Sequence, residues 1–320
     1  MKAVVLSKLL RRLLLVGLVA TACGQVAPLV SPAPLPRPVE SVLELQVELH
    51  RRGFSCGAID GVPGAQTVAA LRAFQQACGI PNTGVLNAAT RELLVMTEPA
   101  IIIHRVTAPE LASLRPPPTT WVAKSLEPAL AYASELEQVA EYYHAHPKFL
   151  QQLNPGVDWS ALLPNATVLV PGAERAVIAG KLEQIVIRLE ARDLELFDAA
   201  GRVIAHFPVS IARSVEKRPL GELRVTVAVA EPNYTFDPEV FPESAEGKEL
   251  GRKLIIPPGP NNPVGRVWIG LDRPGYGIHG TPDPEKVGRT ESHGCFRLAN
   301  WDALTLLRLV RIGTVVVVEP

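Results

Sequence analysis

Across 320 residues the chain has only four cysteines and two methionines, and aromatic residues make up just 5% of it. Four cysteines are too few for a disulfide-built scaffold, so the fold has to rest on buried aliphatic side chains. Net charge is also missing: 32 Lys+Arg balance 32 Asp+Glu, and no basic run carries interleaved aromatics. That removes the electrostatic footprint of a nucleic-acid binder. There is no His-Glu-x-x-His and no Gly-rich phosphate loop, so no cofactor and no metal is expected. Beyond the first 22 residues no apolar run reaches the length of about 20 that a membrane-spanning helix needs.

What the chain does have is 47% hydrophobic residues with 20% charged ones, enough to bury real cores. At about 100–200 residues per domain, two or three domains are expected. Its 30 prolines cluster at 28–38, 116–118 and 257–263, which marks linkers and loops. Residues 1–22 read as a secretory signal: Lys2, Lys8, Arg11 and Arg12 precede the apolar run Leu13 to Ala20, and Thr21 and Ala22 follow. Cys23 stands directly after Ala20-Thr21-Ala22, which resembles a bacterial lipoprotein processing site with Cys23 as the lipidated N-terminus. An ordinary Ala-x-Ala cleavage is the alternative, and residues 23–39 form a Pro-rich tether in either case.

Residues 40–97 carry helical spacing. Val42, Leu45 and Leu49 recur on one face before Gly53. Val68, Leu71, Phe74 and Cys78 follow on a second helix after Gly64, and Asn87 is placed to cap a third. The stretch Gly53 to Gly64, with Thr67, Leu71, Phe74-Gln75 and Thr83-Gly84-Val85-Leu86, resembles the three-helix peptidoglycan-binding domain of cell-wall enzymes. Asp60-Gly61 taken alone is a turn. A Cys56–Cys78 disulfide would close a 21-residue loop and contribute about 3 kcal/mol. The other reading of Cys78 is a buried thiol on the apolar face.

Residues 100–172 give less. Leu126 to Tyr143 is expected to be helical. Leu150 to Asp158, with its Asn154-Pro155 turn, and Val168 to Pro171 are similar to the closing half of a LysM glycan-binding module. A spacer packed on its neighbours is the alternative. His144 and His146 are expected to be a surface pair, since no further ligand lies at metal spacing.

From 177 to 320 the period becomes two. Ile185, Ile187 and Leu189 alternate; Leu194–Phe197 and Val203–Val209 flank a turn; Leu223, Val225, Val227 and Val229 alternate; Val267–Leu271 and Val315–Val318 add two runs. A helix is expected from Asn300, with Asp302 in its first turn and Leu304, Leu307 and Val310 inward. Within this region His279-Gly280-Thr281 is followed by Ser292-His293-Gly294-Cys295-Phe296-Arg297. Taken alone, a cysteine such as Cys295 is more often a buried small side chain or half of a disulfide than a nucleophile. The paired motifs, with Asn262-Pro263-Val264-Gly265 upstream, resemble the active-site signature of the YkuD-type L,D-transpeptidases.

The expected architecture is therefore multidomain: a small three-helix peptidoglycan-binding domain, an α/β LysM-like linker module and a mostly-β, sandwich-like L,D-transpeptidase catalytic domain. The resemblance implies Cys295 as nucleophile and His279 as base. It implies the Gly280 carbonyl as the imidazole's anchor and the amides of His293, Gly294 and Cys295 as oxyanion donors. Ser292 shapes the site, and Arg297 holds a substrate carboxylate or, alternatively, sits in a surface ion pair. The implied reaction is acyl transfer on peptidoglycan tetrapeptide stems, forming 3–3 crosslinks or attaching a lipoprotein to the wall. A carboxypeptidase, a lipoprotein-releasing hydrolase and a non-catalytic wall anchor are the alternatives. Expected partners are peptide stems and glycan, with the lipoprotein as a further acceptor. Export across the inner membrane to a periplasmic site follows, with membrane contact only through a lipid anchor, at the outer membrane in a Gram-negative cell.

Overall fold

The computed structural model describes residues 34–174, 177–239, 245–291 and 294–320. The signal segment 1–22, the Cys23 anchor with most of the tether, and Ser292 and His293 lie outside the described residues.

In the first module, Arg37–Pro38 (β1) and Val95–Met96 (β2) pair antiparallel around three helices, Val42–Arg51 (α1), Ala65–Ala77 (α2) and Ala88–Leu93 (α3). Ser41 and Glu44 form a reciprocal capping box at the start of α1. The Asn87 side chain accepts from the Thr90 amide at the start of α3. Leu45, Leu49, Phe54, Leu71, Phe74, Leu94 and Met96 form the core, each buried side chain of this size contributing about 1.5–3 kcal/mol. The disulfide expectation fails. Cys56 and Cys78 are separate thiols, Cys56 buried in that core and Cys78 exposed at the end of α2. Val68, expected on the inward face, is exposed as well.

The second module pairs Ile101–Arg105 (β3) antiparallel with Thr167–Pro171 (β4). Between them in sequence lie Ala108–Ser113 (α4), Trp121–Leu126 (α5), Glu135–Tyr142 (α6) and Pro147–Leu153 (α7). Of the helix expected over Leu126–Tyr143 only Glu135–Tyr142 forms; Leu126 ends α5, and Pro128, which removes a backbone donor, lies in the non-helical stretch between. The Asn154 side chain explains the Asn-Pro turn: it donates to the carbonyls of Leu150 and Leu169 and accepts from the Leu169 amide, fixing β4 against α7. Val139, Leu150, Val168 and Val170 fill the space between sheet and helices.

The third module contains Gln184–Arg188 (β5), Asp193–Phe197 (β6), Val203–Pro208 (β7), Gly221–Ala230 (β8), Tyr234–Phe236 (β9), Ala245–Leu250 (α8) and Leu254–Ile256 (β10). Val267–Leu271 (β11), Gly277–His279 (β12), Phe296–Arg297 (β13), Asn300–Leu309 (α9) and Val315–Glu319 (β14) complete it. The sandwich expectation is corrected to one eight-stranded mixed sheet, ordered β13-β12-β11-β8-β14-β5-β6-β7. The long strand β8 explains this: its first residues pair with β14 and its later ones with β11, so the sheet curls about a shared strand. Ile185, Leu194 and Phe207 from one half and Val267, Ile269 and Ile278 from the other enclose one core with Ala303 and Leu306 of α9. Leu304 and Leu307 only flank that core.

The described residues cluster as one compact unit, and the contacts between modules are specific. Gly53 to Ser55 run beside β7, with the Ser55 amide donating to the His206 carbonyl and the His206 amide to the Gly53 carbonyl. Ser55 Oγ donates to Asp302 Oδ2 of α9 at 2.9 Å. Ile59 exchanges two backbone hydrogen bonds with His144 and His146. His144 and His146 are therefore not a surface pair. His144 stacks on Trp301 at 5.2 Å and meets His50 Nδ1 at 3.3 Å, while His146 caps α7.

Candidate active site

The parallel pairing of β12 with β13 sets Ile278 against Phe296 and His279 against Arg297. Because side chains alternate along a strand and paired residues share a face, Cys295, Arg297 and His279 belong to one face. His279 is buried, flat against Trp268 of β11 at 5.8 Å. Its Nδ1–H donates to the Gly280 carbonyl at 2.6 Å, which leaves Nε2 without a proton in the neutral ring. Burial, joined by the Arg297 charge, lowers the imidazole pKa to about 4, against an opposing push from the Gly280 hydrogen bond.

Half-buried Cys295 points Sγ toward the Gly275 carbonyl at 3.5 Å. Burial pushes this thiol up from its ordinary value, with the Gly277 amide and the Arg297 guanidinium pulling the other way. A thiol poised at its unperturbed value is therefore not what the free protein holds. Both shifts favour the uncharged forms, a thiol at Cys295 and an imidazole at His279, which is the starting state that general-base activation requires. Arg297 is itself lowered by burial, makes no ion pair among the described residues, and its buried Nε has no hydrogen-bond partner there. Among the described residues, and its chain neighbours aside, a Cβ placed on Gly294 would meet no atom within 4 Å. Tyr234 of β9 completes the surroundings, pushed up to about 12 by burial and by its proximity to Cys295 and Asp237.

Residues the sequence did not single out hold this site in shape. Asn300, fully buried, accepts from the amides of Arg266 at 3.2 Å and Thr281 at 3.0 Å through Oδ1. A Cβ on Gly265 (φ +61°) or on Gly280 would collide with that same oxygen, so both positions require glycine for the approach. Asn300 Nδ2 in turn donates to Glu141 Oε2 of α6 at 2.8 Å, and Tyr132 donates to Glu141 Oε1 at 2.8 Å. Glu141 is pushed up to about 7, chiefly by burial. The second module also grips the β9–β10 hairpin: Trp121 stacks on Phe236 at 4.2 Å, and Glu246 of α8 accepts from the Trp121 and Val122 amides. Gly265 was visible as part of Asn262-Pro263-Val264-Gly265, but Glu141 and Trp121 belong to a different module and carry no local signal.

Comparison with known proteins agrees with this geometry. The YkuD family, described as the L,D-transpeptidase catalytic domain, matches residues 183–318, and the peptidoglycan-binding domain family matches residues 38–94. A Bacillus licheniformis protein named as the L,D-transpeptidase YkuD is 26% identical over 185 residues, 58% of this chain and 93% of that protein. Its Bacillus subtilis namesake is 24% identical over 184 residues, 58% and 93% of the two chains. An Escherichia coli protein named as the L,D-transpeptidase YcfS is 30% identical over 190 residues, 56% of this chain and 57% of that one. Sequence motif, curled sheet and family matches converge on one statement: the chain joins a peptidoglycan-binding domain to a YkuD-type L,D-transpeptidase catalytic domain.

Proposed function

We propose that the enzyme acylates itself at Cys295 with a peptidoglycan tetrapeptide stem and passes the acyl group to an amine, giving 3–3 crosslinks or an attached lipoprotein. Nε2 of His279 takes the thiol proton as Sγ attacks the carbonyl before the terminal D-Ala. The C–N bond breaks, the proton passes to the departing amine, and a thioester remains. The second amine then reverses the sequence, its proton going to His279 and the thiol being released. The amides of His293, Gly294 and Cys295 are the donors assigned to the developing oxyanion. Ser292 shapes the pocket, and Arg297 offers its guanidinium, whose Nε has no hydrogen-bond partner among the described residues, to a stem carboxylate.

One observation carries this reading. Cys295 directly precedes β13, whose Arg297 pairs with His279, and the His279 tautomer is set by a 2.6 Å hydrogen bond that leaves Nε2 basic.

The second module is the LysM-like element of the proposal. Its antiparallel β3–β4 pair with α6 and α7 between suits such a module, and the segment 106–133, holding α4 and α5, interrupts the opening half. That interruption accounts for why only the closing half reads clearly in the sequence. The enzyme is proposed to work in the periplasm, exported by residues 1–22 and held through a lipidated Cys23.

The test is a covalent adduct. Incubation with a tetrapeptide stem and no acceptor is expected to add the acyl mass to the peptide containing Cys295. Crosslinking by Cys295→Ala at the wild-type rate would refute the assignment.

A further inference from the structure

His104, Glu110 and Glu135 converge inside the second module. They come from three elements: His104 from β3, Glu110 from α4 and Glu135 from the first turn of α6. One ligand atom from each lies within 4.8 Å of the other two. His104 Nε2 is 3.6 Å from Glu110 Oε1 and 3.9 Å from Glu135 Oε1.

The hydrogen bonding leaves these atoms unfilled. Glu135 is 1% exposed and His104 8% exposed, yet both Glu135 carboxylate oxygens and His104 Nε2 have no hydrogen-bond partner among the described residues. A buried carboxylate without donors is costly unless a cation or a proton compensates it. Burial, with the neighbouring Glu110 charge, pushes Glu135 up to about 7. The other atoms of the cluster are already committed elsewhere. Glu110 Oε2 accepts from the Thr107 amide and hydroxyl, each at 2.7 Å, so Oε1 is aimed inward. His104 Nδ1 lies 3.0 Å from the Tyr143 hydroxyl. If Nδ1 donates there, Nε2 is the bare nitrogen, and Tyr143 is the outer partner that metal-binding histidines generally have.

We propose that His104, Glu110 and Glu135 form a binding site for a divalent first-row transition metal such as Zn2+. One imidazole nitrogen and two carboxylates supply a mixed N/O set with net charge −2, which suits Zn2+ better than the all-oxygen preference of Ca2+ or Mg2+. Tetrahedral Zn2+ with ligands at about 2.0–2.1 Å separates its ligand atoms by about 3.3 Å. The observed N···O separations of 3.6 and 3.9 Å would close by about 0.3 and 0.6 Å, and the two carboxylate oxygens, within 4.8 Å of each other, would close as well. The site joins strand β3 to the inserted segment bearing α4 and to the start of α6, so an ion there would fasten the insertion whose α5 grips the β9–β10 hairpin. No motif announces it, because the three ligands stand 6 and 25 residues apart.

The test uses the purified, EDTA-treated protein, dialysed against Zn2+ and counted by elemental mass spectrometry. One ion per chain is expected, with a melting temperature that rises with Zn2+ concentration. Glu135→Gln and His104→Gln are each expected to weaken uptake at least tenfold, with circular dichroism confirming that the variants fold. Absence of uptake, or uptake unchanged in both variants, overturns the proposal. Substitution with Co2+ gives a second readout. Visible ligand-field absorption with no thiolate charge-transfer band supports the His104 site, whereas such a band places the ion on a cysteine and overturns it.

Discussion

Asn300 stands between the catalytic loop and the second module, and replacing it with aspartate tests whether that link governs the enzyme. The change keeps Oδ1 for the amides of Arg266 and Thr281 but turns Nδ2 into a second carboxylate oxygen, 2.8 Å from Glu141 Oε2. A hydrogen bond to a charged partner of this kind contributes about 1.5–3 kcal/mol, and two buried carboxylates at that distance must share a proton. Asn300→Asp is therefore expected to lose about 2–3 kcal/mol at pH 8. A raised carboxyl pKa in the folded state favours folding at low pH and is lost as pH rises through it, so the deficit should shrink toward pH 5. Glu141→Gln alone sets two donors face to face, because Tyr132 holds the acceptor side. In the double variant the amide introduced at position 141 donates to the carboxylate introduced at position 300, the bond runs backwards, and the stability returns. Urea denaturation of the four proteins gives the coupling energy, expected at about 1–3 kcal/mol in favour of the double variant. Additive losses, or single variants as stable as wild type at pH 8, would refute the reasoning.

Three other outcomes follow from the same geometry. His279→Ala should retain slow acylation that climbs only at alkaline pH, above the ordinary thiol range because burial raises Cys295, whereas the acid limb of the wild-type pH–rate profile should fall near pH 4. His206 is fully buried and neutral, lowered to about 4 chiefly by burial. The unfolded chain therefore binds that proton first on acidification, and stability present above about 6.5 is lost as pH falls, by about 2 kcal/mol between pH 7 and 5. In urea melts His206→Gln should lose correspondingly less over that interval; an identical loss counts against a neutral buried His206. Thiol labelling of the unreduced native protein should modify Cys78 before Cys56, and the unfolded, unreduced chain should titrate both; a missing pair of thiols would restore the disulfide.

The catalytic module was legible because its chemistry is local in sequence. His279-Gly280 and Gly294-Cys295 sit at the ends of two paired strands, and strands with period two announce themselves. The cap residue Asn87 lies next to the helix it starts, so the first module was legible for the same reason. What stayed hidden depends on contacts distant in the chain. Cys56 and Cys78 share one short segment, yet the first turns into the core and the second caps a helix facing solvent. The curl of the sheet depends on β8 changing partners midway, and alternation along one strand says nothing of which strands flank it. His144 looked like a surface residue until Trp301 and His50, from two other modules, closed around it.

The three modules share buried polar contacts, and this changes how wall binding relates to catalysis. A tether would let a binding domain raise the local concentration of substrate while leaving its orientation free. Here Gly53 to Ser55 extend the sheet at β7, an edge whose unpaired backbone groups would otherwise invite another chain. Ser55 then hydrogen-bonds Asp302 in the same helix that begins at Asn300. The second module reaches that helix through Glu141 and the catalytic hairpin through Trp121. Any peptidoglycan held by the first module is thus kept at a fixed distance and direction from the third. Under the proposed acyl transfer, a stem on that glycan would meet the thiol already oriented, which is where positioning lowers an acyl-transfer barrier most.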